Sequence, residues 1–224
     1  MSHRESAATR RARAAEHAAA EPEHDLGLER VIFFSDAVFA IAITLLALEI
    51  RLPAGAEMSS GADLLAALLG IWPRYLSYGI SFLVIGMYWM SHHRMFRSIA
   101  RYDRRLLFLN LLLLLCIAFV PFPTAVLGEY SSSVATIFYA LTMVVTGFAS
   151  TLLWWHASGN GGRLLAEPLA RPRARSSRLH SLAAPAVFLA SIGIAFWNDD
   201  AAKLSWIALA PLLLVGAGLS KQAG

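Results

Sequence analysis

The sequence predicts an all-α integral membrane protein with six transmembrane helices per subunit, and three observations predict it. The chain is 57% hydrophobic with a mean hydropathy of +0.56, while only 15% of it is charged, too apolar and too charge-poor for an ordinary soluble domain. Its apolar residues collect into runs of roughly 15–20, close to the length that crosses a hydrocarbon core of about 30 Å at about 1.5 Å per residue. Its charges lie between those runs, so a net charge of +4 and a pI near 9.6 reflect topology and give no reason to expect a nucleic-acid partner.

Residues 1–29 form a polar, Ala-rich tail without the apolar core of a secretory signal peptide. The membrane domain is expected over residues 30–220. Its first span, 30–50, reads RVIFFSDAVFAIAITLLALEI and is closed off by Pro53. Residues 62–72 are apolar but too short to span and stop at Pro73, which suggests an interfacial or half-inserted helix. The second span, 74–96, carries Gly79 and Gly86 as points of close helix contact and Tyr88-Trp89 near one interface. It leaves through the basic run SHHRMFRSIARYDRR.

The third span, 104–122, has Asn110 as its one strongly polar interior residue and stops at Pro121-Phe122-Pro123. The fourth, 133–156, ends in Trp154-Trp155-His156. Residues 157–180 are a basic, Pro- and Gly-rich loop, too polar to enter lipid. The fifth span is 181–197, Asn198-Asp199-Asp200 a turn, and the sixth 203–219. The single cysteine, Cys116, excludes an internal disulfide or a cysteine metal cluster.

Counting cations orients the chain. With the N-terminus in the cytoplasm, 16 of the 19 Lys and Arg residues fall inside, leaving Arg51, Arg74 and Lys203 outside. That asymmetry follows the positive-inside rule and puts both termini in the cytoplasm. The outer side then carries Glu49, Glu57, Asp63, Glu129, Asp199 and Asp200, a net negative surface that attracts cations.

Asp36, inside the first span, marks a functional or organising position, because an ionisable group at membrane depth faces protein or water. On a helix at about 100° per residue, with Ile41 at zero, Leu48 falls at about −20°, Leu45 at about 40° and Thr44 at about −60°. Asp36 falls at about −140° and Ser35 at about 120°, away from that stripe. Candidate partners for the Asp36 carboxylate are Arg30, Trp89, His92, His93, Arg94 and Asn110. His92 and His93 are adjacent, diverge on a helix and cannot chelate one ion, so no metal site is expected there.

Arg30-x-x-x-Phe34-Ser35-Asp36 followed by Ala40-Ile41-x-Ile43-Thr44-Leu45 resembles the first-helix signature of the transmembrane protein 175 family of potassium channels, in its bacterial form. Ser-His-His-Arg at 91–94 and Asn110 match further features of that family. The resemblance implies a potassium-permeable cation channel of the bacterial plasma membrane, a homotetramer of six-span subunits with lipid around it, no cofactor and no enzymatic activity. It implies that the first helices surround the pore, with Ile41, Leu45 and Leu48 as the constriction and Thr44 supporting cation binding beside it. Arg30, Phe34, Ser35, Asp36, Trp89, His92, His93 and Asn110 are expected to form the signature and a polar network that fixes the first helix. No TVGYG-like carbonyl filter occurs in the chain, and a hydrophobic constriction that gates by dewetting is the physical substitute. Two other readings use the same residues: a proton- or ion-coupled transporter cycling the protonation of Asp36, and a membrane subunit without transport.

Overall fold

The structure, a computed structural model, describes residues 26–53, 60–130, 132–159, 161–167, 178–179 and 181–207. Helix α1 is Leu26–Leu48, so helix begins inside the segment expected as tail. The rest of that tail lies outside the described residues.

Helix α2, Gly61–Gly70, starts from a reciprocal cap: Ser60 Oγ accepts the Asp63 amide at 3.2 Å, and the Asp63 carboxylate accepts the Ser60 amide at 2.9 Å. It buries none of its residues. Helix α3, Trp72–Phe96, follows at a bend of 46°. Pro73, expected as the stop of the short helix, instead sits in the first turn of α3, where a missing N–H costs nothing.

Helix α4, Arg104–Phe119, is capped by Asp103, whose carboxylate accepts the Leu106 amide at 2.7 Å. The third apolar stretch, expected to end at 122, stays helical for longer. Pro121 opens helix α5, Pro121–Glu129, and α4 and α5 together make a run of 26 residues. Proline disrupts a helix interior, where its nitrogen is needed as a donor and its ring meets the carbonyl four residues back, and at a helix start neither applies.

Helix α6 is Ser133–Ala157, α7 is Ala183–Ala195 and α8 is Asp199–Ile207. Asn198, expected within a turn, accepts the Ala201 amide on its side-chain oxygen at 3.0 Å and begins α8.

The described residues therefore form an all-α membrane protein. Three helical runs, α1, α4 with α5, and α6, are long and apolar enough to cross a bilayer, and the bent α2–α3 pair makes a fourth candidate. Helix α7 is a shorter apolar helix of 13 residues, and most of the expected sixth span lies outside the described residues.

Helix α6 is central, packed against α4, α5, α7 and α8, while α3 packs on α5. Helices α6 and α7 approach closely at Gly147 of α6, where an added Cβ would lie 2.8 Å from Pro185 of α7. Gly79 and Gly86 face no such neighbour within the subunit. Tyr139 is fully buried among Phe188 and Trp206, its ring 4.9 Å from that of Trp206. Its hydroxyl is 3.0 Å from Ser81 Oγ, which is 2.8 Å from Thr124 Oγ1, so α3, α5 and α6 share one buried hydroxyl chain. In lipid, packing and such bonds hold helices together, because the surrounding tails are as apolar as the side chains.

Candidate functional site

Helix α1 has two faces. Leu28, Ser35, Phe39, Ala42 and Leu46 are buried, spaced three, four or seven residues apart along one side. The other side is bare: Ile41 is 58% exposed, Leu45 39% and Leu48 62%, with Phe34 and Thr44 also exposed. Over its most apolar window α1 is only 22% buried, against 50% for the α4–α5 run and 56% for α6. It therefore lies at the margin of the described helices, with the Ile41 stripe turned away from them. Thr44 uses its hydroxyl proton on the Ile41 carbonyl at 2.8 Å, leaving oxygen lone pairs free on the exposed face.

A directional hydrogen-bond chain holds the other face. His92 Nε2 on α3 lies 2.9 Å from Asn110 Oδ1 on α4, Asn110 Nδ2 donates to Ser35 Oγ on α1 at 2.9 Å, and Ser35 donates to the Val31 carbonyl at 2.7 Å. This amide orientation puts the proton on His92 Nε2. Each of the three side chains then donates one bond along the chain, and all three are buried. The His92 ring stacks on Phe96 at 4.3 Å and leans on Phe39 of α1 at 5.4 Å, which fixes its orientation.

Asp36 sits beside this chain but belongs to another contact. Trp89 Nε1 of α3 donates to its Oδ1 at 2.9 Å, and His93 stacks on the Trp89 ring at 5.7 Å. Of the candidate partners, Trp89 is the one that meets the carboxylate. His92 and Asn110 serve Ser35 instead. Arg30 and Phe34 are exposed and Arg30 makes no ion pair among the described residues. At the opposite end of α1, Arg51 Nε donates to the Leu48 carbonyl at 3.0 Å and Arg74 of α3 donates to the Arg51 carbonyl, closing the helix end.

At the ends of α4 and α6, the Asp103 carboxylate accepts His156 Nε2 at 2.9 Å as well as the Leu106 amide. Burial alone would raise this carboxyl, but the Leu106 amide and the His156 ring outweigh it and hold it below the usual carboxylate range. No group of three potential metal ligands exists among the described residues.

The sequence reading missed the Ser81–Thr124–Tyr139 chain and the buried Trp206, which donates to Ser191 Oγ at 2.8 Å. The available signal was hydroxyl side chains inside apolar runs, which in lipid need a partner.

The chain is similar to known proteins over most of its length. Residues 30–121 match the family described as "Endosomal/lysosomal potassium channel TMEM175". The chain is 42% identical over 195 residues to the potassium channel B446_29190 of Streptomyces collinus, covering 85% of this chain and 87% of that protein. It is 38% identical over 171 residues to the potassium channel Cha6605_3372 of Chamaesiphon minutus, covering 75% and 83%. The crystal structure of a lysosomal potassium-selective channel TMEM175 homolog from Chamaesiphon minutus superposes with a TM-score of 0.67 at 31% identity, over 88% of this chain and 98% of that one. With its signature helix, its buried histidine–asparagine–serine chain and this coverage of full-length relatives, the chain belongs to the TMEM175 family of potassium channels, a family of membrane channels and not of enzymes.

Proposed function

We propose that this chain is a potassium-permeable cation channel that assembles as a homotetramer, with the four α1 helices around the pore and Ile41, Leu45 and Leu48 forming a hydrophobic constriction. The observation that carries the proposal is the two-faced α1: one side locked to α3 and α4 by polar contacts, the other an exposed apolar stripe at the margin of the helices. Fourfold rotation about an axis beside that stripe gives closed, identical head-to-tail contacts. The exposed Thr44 oxygen then supplies a polar ring between apolar ones, where a partly dehydrated cation can rest. Arg30, Phe34, Ser35, Asp36, Trp89, His92, His93 and Asn110 act on position and not on the ion directly. The subunit has six spans in a bacterial plasma membrane with both termini cytoplasmic, as the cation count supports.

Potassium flux and single-channel current from purified protein in liposomes test this, comparing wild type with Ile41→Asn and Asp36→Asn. A wild-type current that rises or loses discrimination against sodium with Ile41→Asn supports the pore assignment. Current indifferent to Ile41 moves the pore elsewhere, and flux that requires a proton gradient and vanishes with Asp36→Asn makes the protein a coupled transporter.

A further inference from the structure

The α3–α4 connection and the α6–α7 loop, sixty residues apart in sequence, are strapped together. Ile99 and Leu165 form an antiparallel bridge, the Ala100 and Arg101 amides donate to the Leu164 carbonyl at 2.9 and 3.1 Å, and the Ala166 amide donates to the Ser98 carbonyl at 2.9 Å. Ile99 and Leu165 are buried beneath the strap, which fixes it to the helix ends. Gly161 and Gly162, at φ of 73° and 75°, provide the left-handed turn that brings the loop back.

The strap gathers cations. Arg94, Arg97, Arg101, Arg104, Arg105 and Arg163 are all exposed, and none forms an ion pair among the described residues. Two carboxylates lie close in sequence to these six arginines: Asp103, which accepts from His156 and the Leu106 amide, and Glu167, which makes no ion pair among the described residues, so cations remain in excess. The group lies where α3 ends, α4 starts and α6 ends, at the level of Trp154 and Trp155, so it faces the headgroup layer.

We propose that this strapped arginine platform is a binding site for anionic phospholipid headgroups of the adjacent leaflet. Guanidinium forks suit phosphate, and six exposed arginines without ion pairs among the described residues leave their donors free for one. Because the two segments are pinned, the platform is preorganised and differs from the loose attraction of a basic tail. The site is independent of the proposed pore and depends only on the membrane placement of the chain.

The test uses the full-length protein in neutral detergent micelles, titrated with phosphatidylglycerol or with phosphatidylcholine, reading bound lipid by native mass spectrometry and thermal stabilisation. Micelles have no inside or outside, so the outcome does not depend on the orientation assigned above. Phosphatidylglycerol is expected to bind and stabilise where phosphatidylcholine does not. Arg97→Gln/Arg101→Gln/Arg163→Gln should weaken that binding roughly a hundredfold, from about three lost headgroup contacts. The corresponding triple Lys variant keeps the charges but not the forks and should bind between wild type and the triple Gln variant; binding as weak as the Gln variant's overturns the electrostatic part of the proposal. Equal binding of both lipids to wild type, or undiminished phosphatidylglycerol binding to a folded triple Gln variant, overturns the proposal. Inorganic phosphate that displaces the lipid at equal concentration also overturns it, by making the site one for free anion.

Discussion

Asn110 Nδ2 donates to Ser35 Oγ at 2.9 Å, a buried bond that ties α4 to α1 across 75 residues of sequence. Because Asn110 also accepts from His92 at 2.9 Å, it is the shared member of a chain through three helices. Asn110→Leu should leave the His92 N–H without its acceptor and Ser35 Oγ without its donor, and lower stability by about 1–3 kcal/mol, whereas Ser35→Ala removes one end only and should cost about 0.6–1.7 kcal/mol, the range of interhelical bonds in membranes. Thermal unfolding in detergent of both single variants and the double variant checks this, and the double should fall short of the sum.

The Asp36 contact predicts a different asymmetry. Trp89→Phe keeps the ring under His93 but removes the N–H that reaches Asp36 at 2.9 Å, stranding a half-buried carboxylate. Asp36→Asn keeps an acceptor for the same N–H. Trp89→Phe should therefore lower the yield of folded protein more than Asp36→Asn, measured by size-exclusion chromatography of equal membrane preparations; the reverse order would give Asp36 a role as a charge.

How much of this was legible follows from which interactions are local. The faces of α1 come from its own 3.6-residue period, so the placement of Ser35 and Asp36 opposite Ile41 could be read from one segment. The pairing could not. Asp36 had six candidate partners at about one depth, and choosing Trp89 while Asn110 goes to Ser35 requires the packing of α1 against α3 and α4. Prolines misled for a related reason: Pro73 and Pro121 mark helix boundaries, yet both open helices instead of ending the apolar run. The Tyr139–Ser81 contact spans 58 residues and had no sequence pattern to announce it.

Thr44 separates shape from oxygen. Its hydroxyl proton is committed to the Ile41 carbonyl at 2.8 Å, so the exposed oxygen is available as an acceptor. Thr44→Val keeps the volume and removes that acceptor. Reversal potentials in mixed potassium and sodium should shift toward non-selectivity with current retained, while Thr44→Ser should behave as wild type. Unchanged reversal potential in the Val variant removes Thr44 from the permeation path.

Asp103 predicts a pH effect with a definite sign. Its carboxyl lies below the usual range in the folded chain, so its contribution to stability is present above the unfolded value of about 3.9 and is lost as pH falls through the lower folded value. Asp103→Asn keeps a side-chain oxygen to cap α4 but removes the titration. Wild type should lose melting temperature more steeply than Asp103→Asn on acidification below about pH 4; parallel curves would show that the charge on Asp103, bonded to the Leu106 amide and His156, contributes nothing.

Glycine substitutions on α3 and α6 should split by position. A Cβ at Gly147 would lie 2.8 Å from Pro185 Cδ and 3.1 Å from its nitrogen, and proline is rigid, so α7 must move away from α6. Gly147→Ala is expected to destabilise by about 1–3 kcal/mol despite a helix-propensity gain of about 1 kcal/mol. At Gly86 a Cβ meets nothing within 4 Å in the subunit, so Gly86→Ala has only the propensity gain and should be neutral or stabilising. Melting temperatures of the two variants in one detergent decide it: a loss at Gly86 equal to that at Gly147 would mean that α3 is packed closely by a second subunit at that point.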